Sequence, residues 1–229
     1  MELSKRLYAV ASLVTEGASV ADIGTDHGYI PIYLLEHGIS EHVIAMDINK
    51  GPLERAKAHI NESGHAKRIE TRLSDGFEAL SEGEVETVIA AGMGGGLVIK
   101  ILGDHPWKTK SIKEFILQPQ SEIAKVRKYL YENGFTVVME DMVEEDGKYY
   151  PMMKAVHGIS EAYTETEYRY GKQLLEKRHP ILLAYLKKEK EIKSRILEQL
   201  SSQNGLHVEE RIVQLQTDLK WIDEALFVY

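Results

Sequence analysis

Cysteine is absent from the 229 residues, which excludes disulfides, thiolate nucleophiles and cysteine-bound metals. No apolar run reaches the length of a membrane span, and Met1-Glu2-Leu3-Ser4-Lys5-Arg6 has no secretory signal pattern. Internal repeats and low-complexity tracts are missing as well. His37, His42, His59, His65 and His105 are not spaced with carboxylates as metal ligands are, so no metal is expected. Positive charge is short: 28 Lys and Arg stand against 36 Asp and Glu, a net charge of −8. Such a balance speaks against nucleic-acid affinity of the chain as a whole, but not of a local basic face. Together these absences predict a soluble, cytoplasmic protein with no membrane partner. The length and an apolar content of 43% suit one α/β domain with a small appendage.

The pattern is organised around Val20-Ala21-Asp22-Ile23-Gly24-Thr25-Asp26-His27-Gly28-Tyr29. Val20 to Ile23 reads as a short buried strand carrying one acid, Asp22. Gly24 and Gly28 form a turn, and Tyr29 to Leu35 opens a helix with Pro31 tolerated in its first turn. Strand, glycine turn and helix let backbone approach a nucleotide-like ligand. The spacing is G-x-x-x-G rather than the G-x-G-x-x-G of dinucleotide binders. An acid at the turn suits a ligand with a cationic amino group and a sulfonium, as in S-adenosylmethionine (SAM). Taken alone, the turn equally fits any tight strand-to-helix connection.

The rest of the chain adds to it. Leu3 to Val14 has helical spacing, with Lys5 and Arg6 on the face away from the apolar stripe. Val43 to Ile48 is a second strand, ending at Asp47 about 20 residues on, where nucleotide folds place an acid against ribose hydroxyls. Pro52 to Ser63 reads as a helix and Arg68 to Leu73 as a third strand, ending in Ser74-Asp75-Gly76. Glu86 to Ala91 is a fourth, followed by Gly92-Met93-Gly94-Gly95-Gly96 and a helix from Leu97 to Leu102. Phe115 to Leu117 is a fifth, with Gln118-Pro119-Gln120 at its tip, and Ser121 to Glu132 is helical. Phe135 to Met142 and Gly147 to Val156 follow as an antiparallel hairpin. This order predicts an α/β, doubly wound, Rossmann-like sheet of seven strands whose last hairpin is antiparallel. Ligands in such sheets sit beyond the carboxyl ends of the strands, where all five of these tips fall.

The texture changes near Gly158, predicting domains at 1–158 and 159–229. Residues 161–203 are charged and long-helical, with Pro180 as a kink or interruption. Ser201-Ser202-Gln203-Asn204-Gly205 breaks the run. Leu182, Tyr185, Ile192, Ile196 and Leu200 form one stripe; Val208, Ile212, Leu215, Leu219, Ile222 and Leu226 form another. An α-helical antiparallel coiled-coil hairpin is expected. Within residues 172–195, Lys172, Lys177, Arg178, Lys187, Lys188, Lys190, Lys193 and Arg195 outnumber Glu176, Glu189 and Glu191. That is either a solvated helical face or a grip on phosphates.

The first turn, Asp47, Asp75-Gly76, Gly92-Met93-Gly94-Gly95 and Gln118-Pro119-Gln120, with the C-terminal hairpin, resemble the bacterial tRNA (adenine-22-N1)-methyltransferases along essentially the whole chain. Asp26 stands where the wider class I methyltransferases often have glycine. The resemblance implies SAM as cofactor, tRNA as partner, and methylation of adenine N1 in the D-arm region. It assigns Asp22, Gly24 and Gly28 to the methionine end of the cofactor pocket, and Thr25, Asp26 and Tyr29 to cofactor binding without a finer placement. Asp47 goes to the ribose, Ile48 to the adenine face, Asp75 and Gly76 to the exocyclic amine. Gly92 to Gly95, with Gly92, Met93 and Gly94 as cofactor contacts, would border the sulfonium and the entering base.

Asp26 is the candidate for electrostatic stabilisation, and His27, Tyr29, Gln118, Pro119 and Gln120 for holding an extruded base. His27 could instead cap the helix, and the Gln-Pro-Gln segment could be ordinary loop. The RNA-binding set is Lys5, Arg6, Tyr29, Lys177, Arg178, Lys187, Lys188, Lys190, Lys193 and Arg195. A monomer is expected, the hairpin being the surface through which a dimer could form. The competing readings are a SAM methyltransferase of a small molecule or protein, and a non-catalytic SAM-fold protein that binds RNA or a partner.

Overall fold

The computed structural model describes residues 2–201 and 205–229, so the Ser202-Gln203-Asn204 break lies outside the described residues. The chain divides into two compact units, Met1–Glu161 and Ala162–Tyr229.

In the first unit a seven-stranded sheet has the order β3-β2-β1-β4-β5-β7-β6. Its strands are β1 (Val20–Ile23), β2 (Val43–Asp47), β3 (Ile69–Leu73), β4 (Thr87–Met93), β5 (Glu114–Pro119), β6 (Phe135–Glu145) and β7 (Lys148–His157). The first five are parallel, while β7 runs antiparallel to both β5 and β6. Continuous apolar runs such as Val43–Met46 form the centre because both faces of the sheet are covered. Successive side chains point to opposite faces. Ala21, Ile44, Met46, Val88 and Phe115 therefore enter one core with Val98 and Val126. Val20, Val43, Ala45, Ile89 and Ile116 enter the other with Val10, Ile32 and Ile60. The β6–β7 hairpin turns on Asp146 (φ 52°) and Gly147 (φ 74°), the two left-handed residues that a tight hairpin of matching twist requires.

The helices of this unit are α1 (Lys5–Ser12), α2 (Tyr29–Glu36), α3 (Lys50–Glu62), α4 (Gly95–Asp104), α5 (Pro106–Thr109) and α6 (Ile123–Glu132). The helix expected from Leu3 begins later because Ser4 caps it, its hydroxyl accepting from Leu7 N at 3.3 Å. Two strand ends also differ from expectation. Gly92 and Met93 extend β4, with a bulge between Ala91 and Met93 opposite β5. Gln118 and Pro119 belong to β5 rather than to a loop.

The second unit holds α7 (Glu165–Tyr170), α8 (Lys172–Glu176), α9 (Pro180–Leu200) and α10 (Leu206–Leu226). The long-helical run expected over 161–203, with a kink or interruption at Pro180, is made of three helices among the described residues. Gly171 at φ 93° and Arg178 at φ 51° break it. Of the kink or interruption expected at Pro180, the structure has the interruption: Pro180 starts α9 in its first turn, where a missing N–H costs nothing. Lys190 pairs with Asp223 at 2.7 Å and Lys193 with Asp218 at 3.0 Å. As one residue number rises the other falls, so α9 and α10 are antiparallel. Leu182, Leu186, Leu215 and Ile222 are buried, whereas Ile192 of the expected stripe is exposed.

Candidate functional site

The carboxyl ends of β1 to β5 converge on two adjoining cavities of about 300 and 350 Å³, which share Gly24, Ala91 and Gly92 as a common wall. Gly24 (φ 75°) makes the turn after β1, and a Cβ there would stand 3.1 Å from Met93 Cε. The amides of Gly24 and Thr25 both donate to the Met46 carbonyl at 2.8 Å. The turn is therefore tied to β2, and those two donors are spent within the protein. Thr25 is buried beneath it, outside both cavity walls.

Asp22 reaches the smaller cavity from inside the sheet and is only 5% exposed. Burial pushes its carboxyl up to about 6; the Thr25 hydroxyl opposes this and the nearby Asp47 adds to it. Among the described residues it has no cationic partner within ion-pair distance. A buried carboxylate without a cationic partner is costly to ionise.

The larger cavity is lined by Asp47, Ile48, Asn49, Asp75, Gly76, Met93, Leu97, Lys100 and Ile101. Asp47 ends β2, and its Oδ1 accepts from Asn49 N at 2.7 Å, which fixes the carboxylate at the strand tip. Ile48, just past the strand, is 59% exposed, and Leu97 is 45% exposed. Two large apolar side chains open to one cavity suit a flat aromatic ring. Asp75 pairs with Lys100 at 3.1 Å, and the bond raises the lysine's proton affinity. Gly76 is required by its φ of 53° and by Ile101, whose Cγ1 would lie 3.2 Å from an added Cβ.

The smaller cavity is lined by Arg6, Leu7, Asp22, Asp26, His27, Tyr29, Ile30 and Gln120 besides the shared wall. Asp26 accepts from Arg55 Nη2 at 3.0 Å and lies 3.5 Å from His27 Nε2. The His27 and Tyr29 rings stack 5.2 Å apart with planes 7° from parallel. Among the described residues, His27 Nδ1 is buried without a hydrogen-bond partner.

Several expected residues lie elsewhere. Gln118 and Pro119 are buried beneath the rim, and only Gln120 reaches the cavity. Gln118 instead accepts from Arg6 Nη1 and Gly92 N, both at 3.1 Å. Arg6 is not a free surface cation: it is half-buried and lies over Tyr150, 5.7 Å from the ring centre. Lys5 remains exposed, with its backbone N donating to Glu145 Oε1 at 2.6 Å. Gly28 packs against α3, and Gly94 caps α4; neither lines either of these two cavities.

The basic arm is also less free than its sequence suggests. Lys190 and Lys193 pair with acids of α10, and Arg195 pairs with Glu191 at 2.8 Å. Lys177 reaches Gln173 Oε1 at 3.5 Å. Lys187 and Lys188 are exposed on α9, and Arg178 lies in the turn before it.

Arg55, His59 and Lys100 are site neighbours that sequence reasoning did not single out. The signal for the first two was present: they lie four apart on the helix after β2 and so share one face.

Residues 3–153 match the family model of a methyltransferase domain. The chain is 37% identical over 162 residues to the tRNA (adenine(22)-N(1))-methyltransferase of Bacillus subtilis strain 168, covering 71% of this chain and 68% of that one. A crystal structure of the B. subtilis M1A22 tRNA methyltransferase TrmK superimposes with a TM-score of 0.87, at 30% identity over 98% of this chain and 99% of that one. A Streptococcus pneumoniae protein solved in complex with S-adenosyl-L-methionine gives 0.88, at 31% identity over 98% and 100%. With strand order, converging loop tips and aligned length in agreement, this chain belongs to the methyltransferase family of the bacterial tRNA (adenine-22-N1)-methyltransferases.

Proposed function

We propose that the protein methylates N1 of adenine 22 in tRNA, using SAM. The observation that carries this reading is the pair of cavities meeting at Gly24, Ala91 and Gly92. One combines an acid at the tip of β2 with exposed apolar side chains, and the other combines a buried carboxylate with Asp26, His27 and Gln120.

The residues fit the cofactor. Asp47 would hold ribose hydroxyls, for which a carboxylate is a two-oxygen acceptor. Ile48 and Leu97 would cover the adenine faces, with Asp75 and Gly76 at its amino edge. Asp22 would meet the cationic amino group, which relieves the cost of its own burial. Thr25, Gly28 and Gly94 would act through the backbone path they shape, and Met93 through its side chain against Gly24. When bound, SAM supplies a methyl whose bond to sulfur breaks as the adenine N1 lone pair bonds to carbon, so that positive charge passes to the base.

The chain's own part is positioning and electrostatics. Asp26, at the rim, would stabilise the charge gained by the base. Tyr29 and His27 would stack on an extruded base, and Gln120 would reach its edge. Gln118 would act from beneath by holding Arg6 and Gly92 in place, and Pro119 through its register with Met93 on β4. Residues 1–158 would form the cofactor domain and 159–229 the helical domain. In the latter, Lys177, Arg178, Lys187, Lys188, Lys190, Lys193 and Arg195 would meet tRNA phosphates, with Lys5 contributing from the first, whereas Arg6, held by Gln118, would meet RNA only where it lines the smaller cavity. The enzyme would act in the cytoplasm as a monomer.

Incubation with methyl-labelled SAM and unmodified tRNA tests this. Label recovered as 1-methyladenine, and lost when adenine 22 is replaced by guanine, supports the reading. SAM binding with no transfer to any tRNA would overturn it in favour of another methyl acceptor or a non-catalytic role.

A further inference from the structure

The turn between β1 and α2 holds a backbone conformation that its own sequence does not favour. His27 sits at φ 62° and is followed by Gly28 at φ 68°. Glycine adopts this region freely, but a side chain such as histidine is strained there. Such a conformation persists only where the surroundings enforce it. Here the enforcing element is α3. Its Ala56 and Ile60 approach Gly28 so closely that a Cβ there would stand 3.5 and 3.3 Å from them. On the same face Arg55 Nη2 donates to Asp26 Oδ1 at 3.0 Å. One turn further on, His59 Nδ1 lies 3.1 Å from the His27 carbonyl oxygen. Since a carbonyl only accepts, that contact fixes the proton of His59 on Nδ1. The His59 ring also lies 5.1 Å from that of His27 and 5.7 Å from that of Tyr29.

We infer that Arg55 and His59 are a positioning pair for methyl transfer, resting on the function proposed above. Arg55 aims the Asp26 carboxylate at the rim. His59 locks the His27 carbonyl and thereby the strained turn that presents His27 and Tyr29 to the acceptor base. Neither residue lines either cavity, so both act through others. Both are set on a helix that also packs through Ala56 and Ile60, so removing their side chains leaves the core in place. Their loss should therefore impair turnover without impairing cofactor binding.

The test uses the full-length protein with Arg55→Ala, His59→Ala, His59→Asn and His59→Phe. Asparagine keeps a side-chain N–H near the position of Nδ1, and phenylalanine keeps the ring without the donor. Arg55→Ala and His59→Ala are expected to lower kcat on tRNA at least tenfold, with SAM affinity within about twofold of the parent. His59→Asn should recover most of that loss and His59→Phe should not. Independently of activity, hydrogen exchange of the amides of residues 25–29 should quicken tenfold or more in Arg55→Ala, His59→Ala and His59→Phe, with β1 and β2 unchanged. Unaltered kcat and exchange, rescue by Phe rather than Asn, or a parallel loss of SAM binding would each overturn the inference. If the parent protein transfers no methyl to tRNA, the proposed function falls, and the exchange measurement alone decides this inference.

Discussion

The side-chain oxygen of Gln118 accepts two hydrogen bonds at 3.1 Å, one from Arg6 Nη1 and one from the backbone N–H of Gly92. A fully buried amide at the end of β5 thus ties α1 to the last residues of β4, across 112 and 26 positions of chain. Buried polar groups need partners, and here the partners are the two segments that wall the smaller cavity.

Replacing that amide separates structure from substrate contact. Gln118→Leu strands two donors and is expected to cost about 1–3 kcal/mol in urea denaturation. It should also lower methyl transfer. Gln120→Ala removes an exposed side chain, leaving stability unchanged while raising the KM for tRNA. Equal stability in both variants would contradict the bridging role.

Asp22 makes cofactor affinity depend on pH. Its folded carboxyl is raised to about 6 from an unfolded 3.8. The raised value means that its contribution to stability is complete below the unfolded pKa and is lost as pH climbs through about 6. In the ligand-free protein, Asp22→Asn should therefore stabilise more at pH 7.5 than at pH 5, by roughly 1 kcal/mol. SAM affinity should rise with pH through the same window, as the carboxylate forms to meet the ammonium, and Asp22→Asn should flatten that rise. Calorimetric titrations at pH 5, 6 and 7.5 check both.

The glycines after β4 are not equivalent. A Cβ on Gly95 would stand 2.4 Å from the Ser121 carbonyl oxygen, and backbone cannot swing aside. Gly95→Ala should cost about 1–3 kcal/mol through forced displacement. A Cβ on Gly96 meets only the end of the Glu122 side chain, at 3.2 Å, so Gly96→Ala should be near neutral. Thermal melts of the two variants distinguish them.

On α9, charge reversal should act by partner. Lys193 lies 3.0 Å from Asp218 and 3.5 Å from Glu189, so Lys193→Glu should lower the melting temperature. Exposed Lys187 has no acid within ion-pair distance among the described residues. Lys187→Glu should leave folding and SAM affinity intact, weaken tRNA binding and reduce the slope of log K against log salt by about one. An unchanged slope would remove this face from RNA contact.

Much of this was legible in the linear chain because it is local. Val43–Met46 is apolar without interruption, so a central strand covered on both faces followed directly. Asp22, Gly24, Asp47 and Gly76 announced strand ends and left-handed turns, since acids and glycines there answer short-range geometric demands. The order of elements then fixed the sheet and the edge at which the tips gather.

What the tertiary structure alone decided is which side chains meet. Arg6 read as a solvent-facing cation until Gln118 claimed it, and Gln118 read as a rim residue until β5 lengthened and buried it. Arg55 and His59 had no role assigned until α3 packed on the turn, and Lys190 and Lys193 of α9 found their acids on α10. Periodicity and turn chemistry depend on neighbours a few residues away. The burial and the partner of a polar side chain depend on chain brought in from far along the sequence, and only packing sets that.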